Sequence, residues 1–271
     1  MGVEATGKYT GNKNNPSRTG SKLIRIGYYL VSHFVSVQLP PLVFSMKKFA
    51  ALLLLISAGL ISAAPAQTTT FAVGSTTVSV TPLATGLSIP WELVWGPDDF
   101  IWMTERSGRI SRVDPTTGQV LPLLSVPDVT PTGESGLLGM VLHPDFATTP
   151  FVYIVYNYTD NNLREKVVRY TYSAATNSLS EPRVLLANIP ATTTHSGSRL
   201  LILPDRTLLI TTGDAQLRSE SQNPASLNGK ILRINLDGSI PANNPTPGSP
   251  VYTLGHRNAQ GLVRLPSGKY L

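Results

Sequence analysis

Four histidines occur in this chain of 271 residues. One of them, His195, stands in the polar run Thr192 to Arg199, directly ahead of the apolar stretch Leu200–Leu203. A neutral imidazole accepts a proton from a hydroxyl near neutral pH, so His195 is a candidate general base. Gly197 allows a backbone or a flat ligand to come close, and Arg199 adds a fixed positive charge. The plainer reading of the same residues is a structural loop histidine. A second candidate is Glu134 in "GESGLLG", a carboxylate at the entrance of a strand or else an ordinary solvated loop acid. Nearby His143 precedes Pro144 and reads as a turn-capping residue. The third stretch, "GHRNAQG", packs His256, Arg257, Asn258 and Gln260 between two glycines. Such groups are costly to bury unless protein or ligand pairs them. Arg257 offers a planar donor fork suited to carboxylate or quinone oxygens, and an internal hydrogen-bond cluster is the alternative.

These residues need a scaffold that brings distant loops together. Beyond Gln67 the chain consists of short apolar, β-branched runs separated by Gly, Pro, Asp and Asn, a pattern that predicts an all-β fold. "WGPDDFIWMTE", "LHPDFATTPFVYIVY", "ILPDRTLLITTGD" and "RLPSGKYL" each place a proline and a polar turn residue before an apolar run. Behind the first three come "GRISRVDPTTG", "EKVVRYTYSAATN" and "GKILRINLDG", alternating around Arg112, Arg169 and Arg233 as the outgoing strand of a hairpin would. Repetition at this spacing is the signature of β-propeller blades; a β-sandwich with coincidental Pro-Asp turns is the alternative. Three units and the opening of a fourth lead to the expectation of a truncated propeller with unpaired edges. Loops of several blades converge on a propeller's channel, where the three candidate stretches would meet.

The formal charge of +6 comes from the N-terminal region, and the remainder is balanced. That argues against a nucleic-acid footprint. "MKKFAALLLLISAGLISAAPAQ" has the layout of a secretory signal over residues 46–66, with Ala64 and Ala66 ahead of Gln67. Its apolar core is shorter than the roughly 18–20 residues of a bilayer span, so no stable membrane insertion is expected after cleavage; an uncleaved anchor is the other reading. Residues 1–45 read as a mis-assigned or disordered extension, and residues 67–271 as the propeller. The chain has no cysteine, hence no disulfide framework, which suits a periplasmic or secreted bacterial protein. "NYT" at Asn157 matches a glycosylation sequon by pattern alone.

"GLLGMVLHPDF", "HSGSRLLILPD", "LLITTGD", "NGKILRINLDGSIP" and "YTLGHRNAQGL", together with "IPWELVWGPDDFIWMTERSGRISRVDPTTG", resemble the soluble glucose/sorbosone dehydrogenase family, most closely its aldose sugar dehydrogenase branch. The resemblance covers about Leu87 to Leu271. It implies a six-bladed propeller, pyrroloquinoline quinone (PQQ) and calcium as cofactors, an aldose oxidised at C1 to a lactone, and an external electron acceptor. It implies His195 as the base, Arg257 as the charge at the quinone, Asn258 as a cofactor contact and Glu134 near the reacting end of the sugar. Thr194 and Glu134 stand where the glucose-oxidising branch has an acid and an amide. The family's calcium ligands are expected beyond Leu271, and Asp214, Gln216 and Asn223 are only weak oxygen-ligand candidates. Two other functions fit a secreted propeller, a binding module and a lactone hydrolase.

Overall fold

A computed structural model describes residues 68–269 and the short segments Gly2–Glu4 and Arg25–Gly27. The expected signal at 46–66 lies outside the described residues, as does all of the expected extension except those two segments. The chain divides into two compact units, Met1–Thr85 and Gly86–Leu271. In the first, strands β1 (Gly2–Glu4), β2 (Arg25–Gly27), β3 (Thr69–Val73) and β4 (Thr76–Val80) form one sheet in the order β2-β1-β4-β3.

The second unit holds three four-stranded antiparallel sheets, each built from consecutive strands. The first runs through β5 (Pro90–Trp95), β6 (Ile101–Glu105), β7 (Arg109–Val113) and β8 (Val120–Ser125). The second has β9 (Leu137–Leu142), β10 (Phe151–Asp160), β11 (Asn162–Ser173) and β12 (Ser178–Pro190). The third has β13 (Gly197–Ile202), β14 (Thr207–Thr212), β15 (Lys230–Asn235) and β16 (Val251–Leu254). Among the described residues the helical content is a single 3-10 turn, Arg218–Ser221. These are propeller blades, as the repeats predict. The opening strand β9 packs against both β5 and β13, so the first strands of the blades gather together.

The repeated Pro-Asp segments join the first and second strand of every blade. Each is closed by one backbone hydrogen bond of the same kind: Gly96 to Phe100, His143 to Phe151, Leu203 to Thr207, and Leu265 to Lys269 beyond the third blade. The repeated arginines sit on third strands. Arg112 reaches back to Asp98 at 2.7 Å, and Arg233 reaches Asp205 at 2.7 Å. The middle blade varies the device: Arg169 stacks on Phe151 at 3.9 Å, and Asp145 pairs with Arg206 of the next blade's turn at 2.5 Å. His143 accepts the Asp145 N–H at Nδ1 (3.1 Å), which holds it in the turn.

The core lies between blades rather than within them. Trp102, Ile110 and Leu123 of the first blade pack with Leu137, Met140, Ile154 and Tyr170 of the second. Tyr153, Val155 and Val167 of the second pack with Leu200, Leu208, Ile210 and Leu232 of the third. Strand β10 alternates between these two clusters, as the two-residue period of a strand requires.

Arg112 lies close to the faces of Phe100 (4.4 Å) and Tyr172 (5.1 Å), so it binds by charge and by stacking. Arg112→Ala should therefore cost about 2–4 kcal/mol, because it leaves Asp98 with only the Trp102 indole N–H (2.9 Å) and no counter-charge, and empties an aromatic pocket. Arg206→Ala, which removes an exposed pair, should leave the urea midpoint unmoved. Equal midpoints for the two variants would show that this blade device carries no stability.

Candidate functional site

The sequence enters β13 through an irregular turn. His195, Gly197 and Ser198 all have left-handed backbone, with φ of 59°, 66° and 69°. Strands β13 and β14 pair with Gly197 opposite Thr212. Two residues further out along each strand lie His195 and Asp214, brought face to face by that register. Their side chains meet: His195 Nδ1 stands 2.8 Å from Asp214 Oδ1. A carboxylate can only accept, so Nδ1 donates to Asp214, and in the neutral imidazole Nε2 is then the acceptor.

Asp214 is itself held on several sides. Its backbone N–H donates to the Arg257 carbonyl (2.8 Å), and its Oδ1 accepts the Gln216 N–H (2.8 Å). Burial pushes its pKa up, but the hydrogen bonds from His195 and the Gln216 amide outweigh it, leaving the carboxyl below its ordinary range. Glu134 fixes the other end of the histidine by accepting the His195 N–H at 3.0 Å.

These groups line one open pocket of about 400 Å³, formed by Glu134, Thr194, His195, Asp214, Gln216, Arg218 and Arg257. Three loops from two blades and the segment after β16 thus converge, as the sequence arrangement anticipates. The structure brings together Glu134, His195 and Arg257. It sets Asn258 behind them: its Oδ1 accepts the Gly197 N–H (2.9 Å) and it forms an isolated bridge with Gly213. His256 lies to the side, its Nε2 2.7 Å from the Thr253 hydroxyl, and the Gln260 carbonyl accepts a bond from Arg199 (2.9 Å). Arg199 is not a free charge, since it pairs with Glu92 of the first blade and stacks on Trp91 at 4.4 Å.

The rim segment after Asp214 is anchored by a fully buried lysine. Lys230 Nζ donates to the carbonyls of Glu220 (2.6 Å), Ser221 (3.2 Å) and Asn228 (2.6 Å). Burial lowers its pKa, with Glu220 pulling weakly the other way. Among the described residues no group of three or more His, Cys, Asp or Glu side chains could hold a metal.

The sequence reading does not pair Asp214 with His195, although the hairpin contains the clue. "HSG" opens one strand and "TGD" closes the next, with the Pro-Asp turn between them. Gly213 is what permits the approach. A Cβ there would lie 1.5 Å from the His195 carbonyl oxygen.

A family model for glucose/sorbosone dehydrogenase matches residues 87–271. The chain is 40% identical over 221 residues to quinoprotein glucose dehydrogenase B of Acinetobacter calcoaceticus, covering 70% of this chain and 46% of that protein. It is 31% identical over 200 residues to aldose sugar dehydrogenase YliI of Escherichia coli, covering 70% and 54%. The solved PQQ-bound form of aldose sugar dehydrogenase from Streptomyces coelicolor superposes with a TM-score of 0.65 at 36% identity, covering 76% of this chain and 60% of that one. The chain spans about half the length of the curated relatives it matches.

Gly213→Ala forces a methyl group into the His195 carbonyl, and neither strand can yield without breaking the hairpin. We expect a loss of about 1–3 kcal/mol and displacement of His195 from Asp214. Urea unfolding and the His195 ring resonance would register both, and an unshifted resonance at parental stability would contradict the steric argument.

Proposed function

The chain belongs to the glucose/sorbosone dehydrogenase family, and from that membership we propose that its pocket serves the PQQ-dependent oxidation of an aldose at C1 to the lactone. The observation that carries this reading is the His195–Asp214 pair opening onto a pocket that also contains Arg257. In the proposed reaction His195 Nε2 accepts the C1 hydroxyl proton, while Asp214 keeps the imidazole in the tautomer that leaves Nε2 unprotonated. The imidazolium that forms is stabilised by the Asp214 carboxylate. Glu134, bound through the His195 backbone N–H, would face the reacting end of the sugar.

PQQ supplies, when bound, the acceptor for the hydride that leaves C1, chemistry no side chain here provides. The pocket residues fit such a group. Arg257 and Arg218 line it with neither side chain in a hydrogen bond or ion pair among the described residues, and a flat anion bearing carboxylates and quinone oxygens would satisfy both. Arg257 would hold the quinone and stabilise negative charge developing on it, with Asn258 supporting from behind through Gly197. Calcium and an external electron acceptor belong to the proposal on the family's account alone. Export to the periplasm or beyond the cell belongs to the proposal on the signal-like layout of residues 46–66; among the described residues no helix is long and apolar enough to cross a membrane.

The test is stopped-flow reduction of bound PQQ by aldose, in the protein that contains this chain, with calcium present. His195→Gln should keep fold and cofactor and lose about 10²–10⁴-fold in rate. Asp214→Asn should follow in the same direction, because the amide can no longer enforce the tautomer. A His195→Gln rate within about threefold of the parent, well short of a general-base effect, would remove the histidine from the mechanism.

A further inference from the structure

Beneath the His195 turn lies a second polar group that the reaction does not use. Ser135, Asn157, Glu165, Ser196 and Ser198 are all buried. Ser198 Oγ donates to Glu165 Oε2 (2.9 Å), and Ser196 Oγ donates to Asn157 Oδ1 (3.3 Å). Asn157 Oδ1 also accepts the Gly136 N–H (3.1 Å). Ser135 donates to the Thr192 carbonyl (2.8 Å). Asn157 and Glu165 register opposite each other on β10 and β11, and the Asn157 amide approaches the carboxyl, yet Asn157 Nδ2 and Glu165 Oε1 complete no well-formed hydrogen bond.

A carboxylate sealed from water with one oxygen unpaired is far costlier than the neutral acid. Among the described residues no compensating cation faces it. The groups turned toward Glu165 are Asn157 from β10, Ile189 from β12 and Ser198 from β13, all uncharged, with Ser196 of the preceding turn bound to Asn157. The charged groups flanking the same turn are engaged elsewhere, Glu134 with the His195 N–H and Arg199 with Glu92. Ser198 meanwhile holds a left-handed conformation that non-glycine residues rarely adopt. Its hydroxyl has two acceptors in reach, Glu165 Oε2 (2.9 Å) and the Ser196 carbonyl (3.1 Å), and only the bond to Glu165 ties the turn to another strand.

We propose that Glu165 is a positioning residue for His195: its carboxyl, kept neutral, anchors Ser198 and so the left-handed turn that aims the imidazole. The proposal rests on His195 being the functional side chain of the pocket. A consequence in pH follows. Burial raises the Glu165 pKa from its ordinary 4.5 to about 8, against weaker opposing pulls from Ser198 and Asn157. The folded chain therefore holds this proton more tightly than the unfolded chain does. The stability it contributes is complete below the unfolded value, falls as pH rises, and is lost above about 8. Ionisation in that upper range would also loosen the turn.

The test is an NMR titration of the full chain, with the His195 ring resonance assigned by its disappearance in His195→Gln. In the parent, the resonance should show a second step, a shift over the interval in which Glu165 ionises, above pH 7, and the melting temperature should fall over the same interval. Glu165→Gln, neutral at every pH, should abolish both. If that variant does not fold, Ser198→Ala carries the test. It cuts the hydroxyl link, so the second step at His195 should vanish while melting still declines with pH. No second step in the parent, or an identical step in Glu165→Gln or Ser198→Ala, would overturn the proposal. The readout needs neither cofactor nor sugar, so its failure is distinct from a failure of the proposed oxidation.

Discussion

The pairing of His195 with Asp214 depends on the register of one hairpin. With Gly197 opposite Thr212, both residues fall on the same side at the same height, just outside the last ladder positions. A slip of one residue would turn the imidazole and the carboxylate to opposite faces, since side chains alternate along a strand. The inter-blade core fixes the inner register, with Leu200 opposite Ile210 and Leu200, Leu208 and Ile210 facing the second blade. A bulge between Gly197 and Leu200 then shifts the pairing by one residue and brings Gly197 opposite Thr212. The chemistry at the strand ends thus depends on the apolar alignment and on the bulge together.

The same economy appears in the blades' common closure. A Pro-Asp turn needs a counter-charge, and the third strand supplies an arginine that also covers aromatic surface. Asp98 with Arg112 and Asp205 with Arg233 follow this rule. The second blade departs from it because Asp145 turns outward to Arg206, tying one blade's turn to the next. The loops at the opposite strand ends are left free of these ties, and they carry the pocket.

Much of this was legible in the residues. The period of two, the Pro-Asp turns and the arginine-centred strands marked the three blades, because each repeat must satisfy the same turn geometry, while the strand ahead of each turn belongs to the same blade. Glu134, His195 and Arg257 stood out as polar groups at strand entrances, and the fold brings them to one pocket. The Asp214 partnership was less visible, since Asp214 reads equally well as a turn residue until the hairpin register is known. Arg199 misled for the opposite reason: its partner Glu92 lies 107 residues away, and no local pattern announces it. The burial of Glu165 was hidden too, because on β11 it sits between Arg164 and Lys166 and looks like one of a charged run.

Strand β10 has a further consequence. Val152, Ile154 and Tyr156 belong to the cluster shared with the first blade, and Tyr153 and Val155 to the cluster shared with the third. Neither interface can open without disturbing the strand that also closes the other. The three blades are therefore coupled as one cooperative element rather than stacked as independent repeats. Asn157, on the same strand and wholly buried, is then shielded by that cooperativity. Its sequon is open to an oligosaccharide only while the chain is still unfolded.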